Sequence, residues 1–465
     1  MRRKDLPTTP SPMSIMRMLG ELSCRAFKKI YCRRNYFNRD VQLIQMSKLF
    51  DKLSRVDEAL SKISQHISNL PSEIVSTERA LGRVLAEDII SPSDFPPYDR
   101  VAFDGYAVRS ESTFGASSDN PIVLRVIGSS SPGEEREFEI RGMEAVEVAT
   151  GAPLPKGADS VVPLEYSRKL GEHVEILKQV APGANVDRAG SDIRKGETIL
   201  RKGTFLGPFE ILAIASLNIT QVRVVRKPRV CIIASGDELV ELGSELKRGK
   251  IVNSNLFGIR AIIGELAETR YLGIAKDEPS SIKGLIEACD DCDIIVTIAG
   301  SSVGSKDYLY DVVKSMGGEI LVRGLSIMPG KPTMLAVLGG RLLVGIPGYP
   351  VSAMVAASEI LLPIIERLLG IRGVEVKTKV RAKLSQRVPS SPGVRHYVRV
   401  KLTKEGDSYI ATPVRIGGAG IISSLVRSDG FLIVPEEVEG YERGDEVDVI
   451  VYRRWLDLEE GFQKS

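Results

Sequence analysis

The pattern of hydrophobic and polar residues changes character at Arg229. From there to the run VSAMVAASEILLPIIERLLG, short apolar segments such as RVCIIAS and DIIVTIAG alternate with segments of helical spacing such as IKGLIEAC. An uninterrupted apolar segment of this kind is typical of a strand that is buried on both faces. Strands that alternate with helices predict a doubly wound, parallel α/β sheet in this part of the chain.

Two other regions show strict alternation of apolar and polar residues, broken by Gly, Pro and Ser turns. The first runs from Val101 to Gln179 and the second from Val374 to Trp455, and each predicts a β domain. Helical spacing occupies Ser47 to Ile63. The stretch STERALGRVLAEDI (Ser76–Ile89) predicts a further helix with Ser76 as its N-cap.

These changes of pattern, together with the Pro-rich stretch SPSDFPPYDR, divide the 465-residue chain into several domains. The predicted fold class is multidomain α/β plus β. The predicted segments are a basic, disordered N-terminal extension (1–45), an elongated and discontinuous linker domain (46–95 and 185–222), an inserted β domain (96–184), an α/β domain (223–373) and a C-terminal β-barrel-like domain (374–465).

Composition and charge narrow the class of protein. Hydrophobic residues make up 43% of the chain, as in ordinary soluble proteins. The formal net charge is only +3, so the overall charge gives no sign of nucleic-acid binding. No apolar run reaches the roughly 18 residues that a membrane helix needs. Five cysteines, an odd number in a large protein, fit a reducing cytoplasm better than a disulfide framework. We therefore expect a cytoplasmic protein that binds neither membranes nor nucleic acid.

One cysteine pair, Cys289 and Cys292, has C-x-x-C spacing. A zinc site needs four ligands, and the three histidines, His66, His173 and His396, are distant in sequence. We therefore expect both cysteines to pack at a helix end beside the next strand rather than to bind zinc or act in redox chemistry.

Polar loops follow three of the predicted strands of the α/β domain: SGDEL (Ser235–Leu239), AGSSVGSKD (Ala299–Asp307) and IPGYPVSA (Ile346–Ala353). Ligands of open α/β sheets lie outside the carboxyl ends of the strands. Small residues let the backbone approach a ligand, and the N–H groups at a helix start attract anions. The loops therefore predict a site for a phosphate or another oxyanion, although none of them is a Walker A or a G-x-G-x-x-G loop.

Acidic residues also follow strand ends: Asp237, Glu238 and Asp307 lie in these loops, and Asp277 follows the predicted strand Tyr271–Ala275. Carboxylates beside an anion site predict a bridging divalent cation, because Mg²⁺ is usually held by one or two carboxylates and by substrate phosphates. Lys331, in MPGKP, can add a fixed positive charge. Each acid by itself could equally be a solvated loop residue or a helix cap.

Seven motifs occur in an order that resembles the MoeA family, which includes the E domain of gephyrin. They are FPPYDRVAFDGYAV, ATGAPLPKGADSVVPLE, AGSDIRKG, ASGDEL, AGSSVGSKD, MPGKP and IPGYPVSA, and the resemblance extends from about Ser47 to Glu459. The resemblance implies that residues 223–373 form a MogA-like molybdopterin-binding domain. It also implies a homodimer and a molybdopterin molybdenumtransferase activity.

In that activity, molybdate is inserted into adenylylated molybdopterin with Mg²⁺ and AMP is released. The resemblance implies that a molybdopterin adenylyltransferase supplies the substrate. The implied site consists of catalytic residues, metal ligands and substrate-binding residues. The catalytic residues are Asp104, Glu238, Asp307 and Lys331, the metal ligands are Asp237, Asp277 and Asp307, and the substrate-binding residues are Thr150, Asp192, Ser235, Gly300, Ser301, Ser302, Gly304, Pro329, Gly330, Pro347, Gly348 and Ser352.

Three residues depart from the family pattern. Ala299 replaces a second glycine, and we expect little effect because a methyl group fits if φ there is negative. Met328 replaces a basic or polar residue, which removes one possible anion contact. Tyr349 replaces a common asparagine.

Three alternative functions are compatible with the sequence. A gephyrin-like binding scaffold would share the fold without catalysis, although a scaffold would not need the acids or Lys331. Tungstate could replace molybdate in the same mechanism, because the two oxyanions have nearly the same shape and charge. A generic nucleotide-dependent phosphohydrolase is disfavoured by the missing Walker loop.

Overall fold

The computed structural model describes residues 53–134, 136–299, 308–372 and 377–453. The predicted extension, residues 1–45, lies outside the described residues. Within the described ranges, none of the helices has the length and apolar character needed to cross a membrane.

The elements of the N-terminal half are mostly short strands. In chain order they are α1 (Val56–Ser64), β1 (Ser72–Ser76), β2 (Ile89–Ile90), β3 (Arg100–Val101), β4 (Gly105–Val108), β5 (Ile122–Ser130), β6 (Glu144–Val148), β7 (Ser160–Pro163), β8 (Ser167–Leu170), β9 (His173–Ile176), β10 (Val186–Asp187), β11 (Thr198–Leu200), α2 (Pro208–Ser216) and β12 (Gln221–Val225).

The C-terminal half begins with alternating strands and helices and ends in strands. Its elements are β13 (Arg229–Ser235), β14 (Leu239–Val240), β15 (Ile251–Val252), α3 (Asn255–Ile263), β16 (Glu268–Ala275), α4 (Pro279–Glu287), β17 (Ile294–Ile298), α5 (Tyr308–Ser315), β18 (Glu319–Arg323), β19 (Ile327–Met328), β20 (Met334–Leu338), β21 (Arg341–Ile346), α6 (Pro350–Ala356), a π-helical turn (Ala357–Leu361), α7 (Leu362–Leu368), β22 (Lys379–Leu384), β23 (Val388–Pro389), β24 (Arg395–Glu405), β25 (Ser408–Arg415), α8 (Ser423–Val426), β26 (Gly430–Val434), β27 (Gly440–Tyr441) and β28 (Glu446–Val451).

Two separated parts of the chain build the region around β1 and β12. β1 pairs antiparallel with β12, and β2 pairs antiparallel with β11. Apolar side chains from both parts, including Leu85, Leu206 and Ile214, pack into one core. The residues between β2 and β11 are therefore an insertion whose two ends lie side by side.

The predicted helix over Ser76–Ile89 is wrong. Ser76 is the last residue of β1, and only Thr77–Arg79 form a short 3₁₀ helix. The Ser76 side chain caps no helix. Thr77 Oγ1 instead donates a hydrogen bond to the Ile219 carbonyl oxygen (2.6 Å). Pairing of this segment with distant strands prevails over its local helical preference, which is a weak prior.

The inserted segment contains a six-stranded sheet with the strand order β7–β4–β6–β5–β9–β8. Successive side chains of a strand point to opposite faces. Along β4, Tyr106 and Val108 therefore join one core, while Ala107 joins a second core on the other face. Because both faces are covered, β4 is buried at every position.

The α/β domain contains a six-stranded sheet with the order β16–β13–β17–β21–β20–β18. The first four strands are parallel, as the sequence predicts, and β20 and β18 add an antiparallel edge. Ile232 and Ala234 face a core that includes α1, α3, α6 and α7. Cys231 faces a second core formed with α4 and α5. Burial on both faces explains why Val230–Ala234 is apolar throughout.

The C-terminal strands close into a five-stranded barrel, which confirms the predicted barrel-like fold. The order is β24–β25–β22–β28–β26, and β26 pairs back onto β24. Strand β19 leaves the α/β domain and pairs in parallel with β24 through Ile327 and Met328. This pairing fixes the MPGKP turn beside the barrel.

Candidate active site

The carboxyl ends of the four parallel strands define one edge of the α/β sheet. β13 ends at Ser235, β16 at Ala275, β17 at Ile298 and β21 at Ile346. Parallel strands end on the same side of a sheet, so the loops that follow them are neighbours. The SGDEL and IPGYPVSA loops therefore lie at this edge, together with Ala299.

Ser235, Asp237 and Asp277 are connected by hydrogen bonds at the ends of β13 and β16. The buried Ser235 Oγ donates to Asp277 Oδ1 (3.0 Å), and the Asp277 N–H donates to Asp237 Oδ1 (3.3 Å). The Glu238 carboxylate folds back over Gly236, where a Cβ atom would lie 2.8 Å from Glu238 Oε2. The donors in these hydrogen bonds are a hydroxyl group and a backbone amide rather than basic side chains. This oxygen donor set suits a hard ion such as Mg²⁺.

Ala299, which follows β17, has a left-handed backbone with φ of 67°. The expectation of a negative φ at this position is therefore wrong. The Ala299 N–H donates to the Ile346 carbonyl oxygen (2.9 Å). A Cβ atom on Gly348 would lie only 3.0 Å from Ala299 Cβ, so these two predicted loops touch. Contact with the IPGYPVSA loop fixes the unusual backbone at the end of β17.

The loop after β21 is held by a residue that sequence reasoning did not assign to the site. Asn255, the first residue of α3, donates from Nδ2 to the Gly348 carbonyl oxygen (2.7 Å). Its only signal in the sequence is its place at the start of a helix that follows a strand. Asn255 therefore helps to position the predicted substrate-binding residues Pro347 and Gly348.

The MPGKP turn approaches the same loop. A Cβ atom on Gly330 would lie 3.8 Å from the Ser352 carbonyl oxygen, and Ser352 is buried. Lys331 is half-buried, and this burial lowers the pKa of its ammonium group. A partly desolvated cation gains more from an anionic ligand than a fully solvated one does. One side of this sheet edge is thus formed by Pro329, Gly330, Lys331 and Ser352.

Asp104 and Thr150 form a pair in the inserted segment. The Thr150 N–H and its hydroxyl each donate to Asp104 Oδ1 at 2.7 Å. The backbone hydrogen bond and then the hydroxyl hydrogen bond lower the pKa of Asp104, which is exposed. Asp192 lies in the neighbouring return segment, where its N–H donates to the Phe95 carbonyl oxygen (3.2 Å). Across the described ranges, no hydrogen bond or ion pair connects Asp104 with Asp237 or Asp277.

A loop of the C-terminal barrel also reaches the edge, which the sequence reasoning did not foresee. The Val351 N–H donates to the Ala419 carbonyl oxygen (2.9 Å), and a Cβ atom on Gly420 would lie 3.3 Å from the Tyr349 ring. The fully buried Arg399 donates from Nη2 to the Gly417 carbonyl oxygen (2.8 Å). The only sequence signal for this loop is the glycine-rich run RIGGAG. The Tyr349 ring therefore lies beside the barrel loop at Gly420 while remaining largely exposed.

Several residues assigned to the site lie outside the described residues. These are Gly300, Ser301, Ser302, Gly304 and Asp307. Their neighbours Ala299 and Tyr308 are described, at the end of β17 and the start of α5.

Models of three protein families match successive parts of the chain. They are "MoeA N-terminal region (domain I and II)" over residues 54–218, "Probable molybdopterin binding domain" over 231–367, and "MoeA C-terminal region (domain IV)" over 381–452. The middle match covers the sheet whose carboxyl edge carries the acids and the Ala299 and Gly348 loops.

Relatives of the whole chain agree with these matches. The molybdopterin molybdenumtransferase of Bacillus subtilis is 33% identical over 404 residues, which cover 86% of this chain and 94% of that protein. The enzyme of the same name from Staphylococcus aureus is 30% identical over 399 residues, covering 85% and 95%. A crystal structure of the molybdopterin biosynthesis MoeA protein from Pyrococcus horikoshii aligns with a TM-score of 0.73 and 37% identity, covering 87% of this chain and all of that one.

The fold and the relatives define a multidomain α/β-plus-β enzyme, and its candidate site lies at the carboxyl edge of a doubly wound sheet. The chain belongs to the MoeA family and acts in molybdenum cofactor biosynthesis.

Proposed function

We propose that this protein is a molybdopterin molybdenumtransferase that inserts molybdate into adenylylated molybdopterin, with Mg²⁺, and releases AMP. The main support is that the region matched to a molybdopterin-binding domain contains both an acidic cluster and, in the turn beside Ser352, a half-buried lysine. The substrate carries a pyrophosphate and the second reactant is an oxyanion. Both reactants therefore need cations, supplied by a metal ion and by the chain.

We assign the metal to Asp237, Asp277 and Asp307. When bound there, Mg²⁺ would neutralise charge on the phosphoryl oxygens. Ser235 orients the Asp277 carboxylate through its hydroxyl, and the Asp277 N–H fixes Asp237. Glu238, which follows Asp237, accepts a proton from the attacking group in this proposal.

The remaining side chains bind and orient the anions. Lys331 provides a charge-assisted contact to molybdate or to the pyrophosphate. We assign close approach of the substrate to the small residues of the sequence at these loops, Gly300, Ser301, Ser302, Gly304 and Gly348. Asp104, held ionised by Thr150, acts from the inserted segment.

We further propose a cytoplasmic homodimer in which Asp104 of one subunit faces the sheet edge of the other. The support is that Asp104 lies in the inserted segment, whereas Asp237 and Asp277 lie in the α/β domain. A molybdopterin adenylyltransferase would supply the substrate, because the reaction consumes an adenylylated pterin.

A direct assay tests the function. The purified protein is mixed with adenylylated molybdopterin, Mg²⁺ and either molybdate or tungstate, and AMP and metal-loaded cofactor are measured. We expect AMP and loaded cofactor in equal amounts, and no AMP from ATP under the same conditions. Omission of Mg²⁺ should stop both products.

The alternatives predict different outcomes. AMP release from ATP would indicate a generic phosphohydrolase, and loaded cofactor with tungstate alone would indicate a tungsten enzyme. Tight binding of adenylylated molybdopterin without turnover would indicate that the protein is a binding scaffold.

A further inference from the structure

Three of the five cysteines meet on the face of the α/β sheet that α4 and α5 cover. Cys231 lies in β13, and Cys289 and Cys292 lie in the connection between α4 and β17. Their three Sγ atoms all lie within 4.8 Å of one another. The expectation that the C-x-x-C pair packs at a helix end beside the next strand agrees with this arrangement, but the third thiol is new. It comes from a strand more than fifty residues earlier, which no spacing pattern could indicate.

This cluster is separate from the candidate active site. Cys231 precedes Ser235 by four residues along β13, which corresponds to roughly 13 Å at about 3.3 Å per residue. The active-site loops follow the carboxyl ends of the strands, whereas Cys292 precedes the amino end of β17. A ligand at the thiols would therefore not share atoms with the acidic cluster.

The three thiols differ in access and in hydrogen bonding. Cys231 and Cys289 are almost completely buried, while Cys292 is half-buried and provides a route from solvent. Cys289 Sγ donates to the Leu285 carbonyl oxygen (3.4 Å), and Cys292 Sγ donates to the Cys289 carbonyl oxygen (3.2 Å). Thiols are weak donors, so these two hydrogen bonds cost little to break when a metal ion binds.

Arginine side chains lie close enough to offset negative charge. Arg341 donates to the Cys289 carbonyl oxygen, and its charge favours the Cys292 thiolate. The neighbouring Cys289 thiol is the main reason that the pKa of Cys292 is lowered to about 7, and the same contact raises the pKa of Cys289. Arg270 lowers the pKa of Cys231, although burial has the larger effect and raises it to about 11.

We propose that Cys231, Cys289 and Cys292 bind one soft, closed-shell cation, Cu(I), as a three-coordinate thiolate site. Three thiolates at about 2.3 Å from one ion in a plane lie about 4.0 Å apart, so the thiols need to close in by less than about 1 Å. Thiolates select soft ions, which excludes Mg²⁺. The group has three members in the described ranges, one fewer than a structural zinc site uses.

Binding is an exchange of protons for metal. One Cu(I) forms three Cu–S bonds and displaces the three thiol protons, with no change in oxidation state. The complex carries two negative charges, which Arg341 and Arg270 partly balance. Apparent affinity should therefore rise with pH as the thiols lose their protons.

The test uses a background in which the two other cysteines are removed, Cys24→Ser with Cys32→Ser. This protein is titrated without oxygen with Cu(I), supplied as its acetonitrile complex, in competition with a coloured Cu(I) chelator. We expect one Cu(I) per chain and an ultraviolet sulfur-to-copper charge-transfer band. Adding Cys292→Ser should weaken binding at least 100-fold, and Cys231→Ala should do the same.

Circular dichroism and thermal unfolding of the metal-free variants show whether each is folded. Cys292 is half-buried, so its serine variant should fold even if the buried Cys231→Ala variant does not. Absence of tight binding in the background protein, or unchanged binding in a folded Cys292→Ser variant, would overturn the proposal. Tight binding of Zn²⁺ without Cu(I) binding would also overturn it.

Discussion

At the scale of single residues, Ala299 shows how neighbouring loops set a local backbone. A left-handed conformation costs an L-residue roughly 1–2 kcal/mol. Ala299 tolerates it because its N–H bonds to Ile346 and its Cβ lies against Gly348. The sequence identifies the substitution of a glycine but not the sign of φ, because that sign depends on a loop almost fifty residues away.

Replacing Ala299 with glycine should therefore stabilise the protein. We expect the free energy of unfolding to rise by about 0.5–1 kcal/mol, because relief of strain exceeds the entropic cost of a glycine. Urea denaturation would measure the change. Ala288, the exposed C-cap of α4 with φ of −71°, is the matched control, and Ala288→Gly should lower stability instead. Equal destabilisation by both variants would show that Ala299 is not strained.

The Asp104–Thr150 pair predicts a pH effect on activity. Two hydrogen bonds stabilise the ionised carboxylate and lower the pKa of Asp104 below its usual value. Thr150→Val removes the hydroxyl but keeps the backbone N–H, so this pKa should rise toward its usual value. If ionised Asp104 is required, the acid limb of the kcat/KM profile should move to higher pH. Thr150→Ser keeps the hydroxyl and should leave the limb in place.

Lys331 should matter for anion use rather than for folding. A charge-assisted contact in a partly dry site is worth about 1.5–3 kcal/mol. Lys331→Ala should therefore raise the molybdate or substrate requirement by about 10- to 100-fold in steady-state assays of AMP release. The exposed Lys314 of α5 is the matched control, and Lys314→Ala should change neither constant. An unaltered KM in Lys331→Ala would remove Lys331 from the site.

At the scale of elements, sequence patterns predict strands correctly where one face or both faces of the strand are buried. The apolar run of β13 predicts a central parallel strand because both of its faces meet helices. The same reasoning fails at Ser76–Ile89, where helical spacing is present but Val84 and Leu85 form bridges to Phe205 and Val224. It also cannot show that the barrel loop at Ala419 meets Val351, since that contact depends on how two units pack.

An ion pair at Asp293 connects three elements. Arg226, just after β12, donates two hydrogen bonds to the Asp293 carboxylate (2.9 and 3.0 Å), and the Arg229 N–H of β13 donates a third (2.7 Å). Both side chains are about one-fifth exposed. Asp293→Ala should lower the free energy of unfolding by about 2–3 kcal/mol, because buried donors lose a charged acceptor.

The adjacent Asp291 provides the control for this change. Its carboxylate pairs with the Arg229 side chain but is largely exposed to solvent. Asp291→Ala should change stability by less than about 1 kcal/mol, since exposed ion pairs contribute little. Chemical denaturation of both variants would compare them, and similar losses would contradict a special role for Asp293.

At the scale of the whole molecule, the proposed shared site can be tested by complementation. If each site takes Asp104 from one subunit and Asp277 from the other, the Asp104→Ala and Asp277→Ala homodimers should both be inactive. Mixed dimers would have one site with both changes and one with neither. After subunit exchange, AMP release should return to as much as half of the wild-type value per mixed dimer.

The control for this experiment is exchange within each variant alone, which should restore nothing. A tag on one variant would verify that mixed dimers form. Confirmed mixed dimers without activity would place Asp104 and Asp277 in the same subunit's site.

The pairing of β1 with β12 has a consequence for the synthesis of the chain. Ser72 pairs with Val225 and Ser76 with Gln221, so the two strands are separated by about 150 residues of intervening sequence. At about 5–20 residues per second, a ribosome needs roughly 8–30 s to make that stretch. β1 therefore leaves the ribosome long before its partner exists, while the inserted sheet has all of its strands and can fold first. Slowing translation between β10 and β12 should prolong the period in which β1 is open to chaperones and proteases.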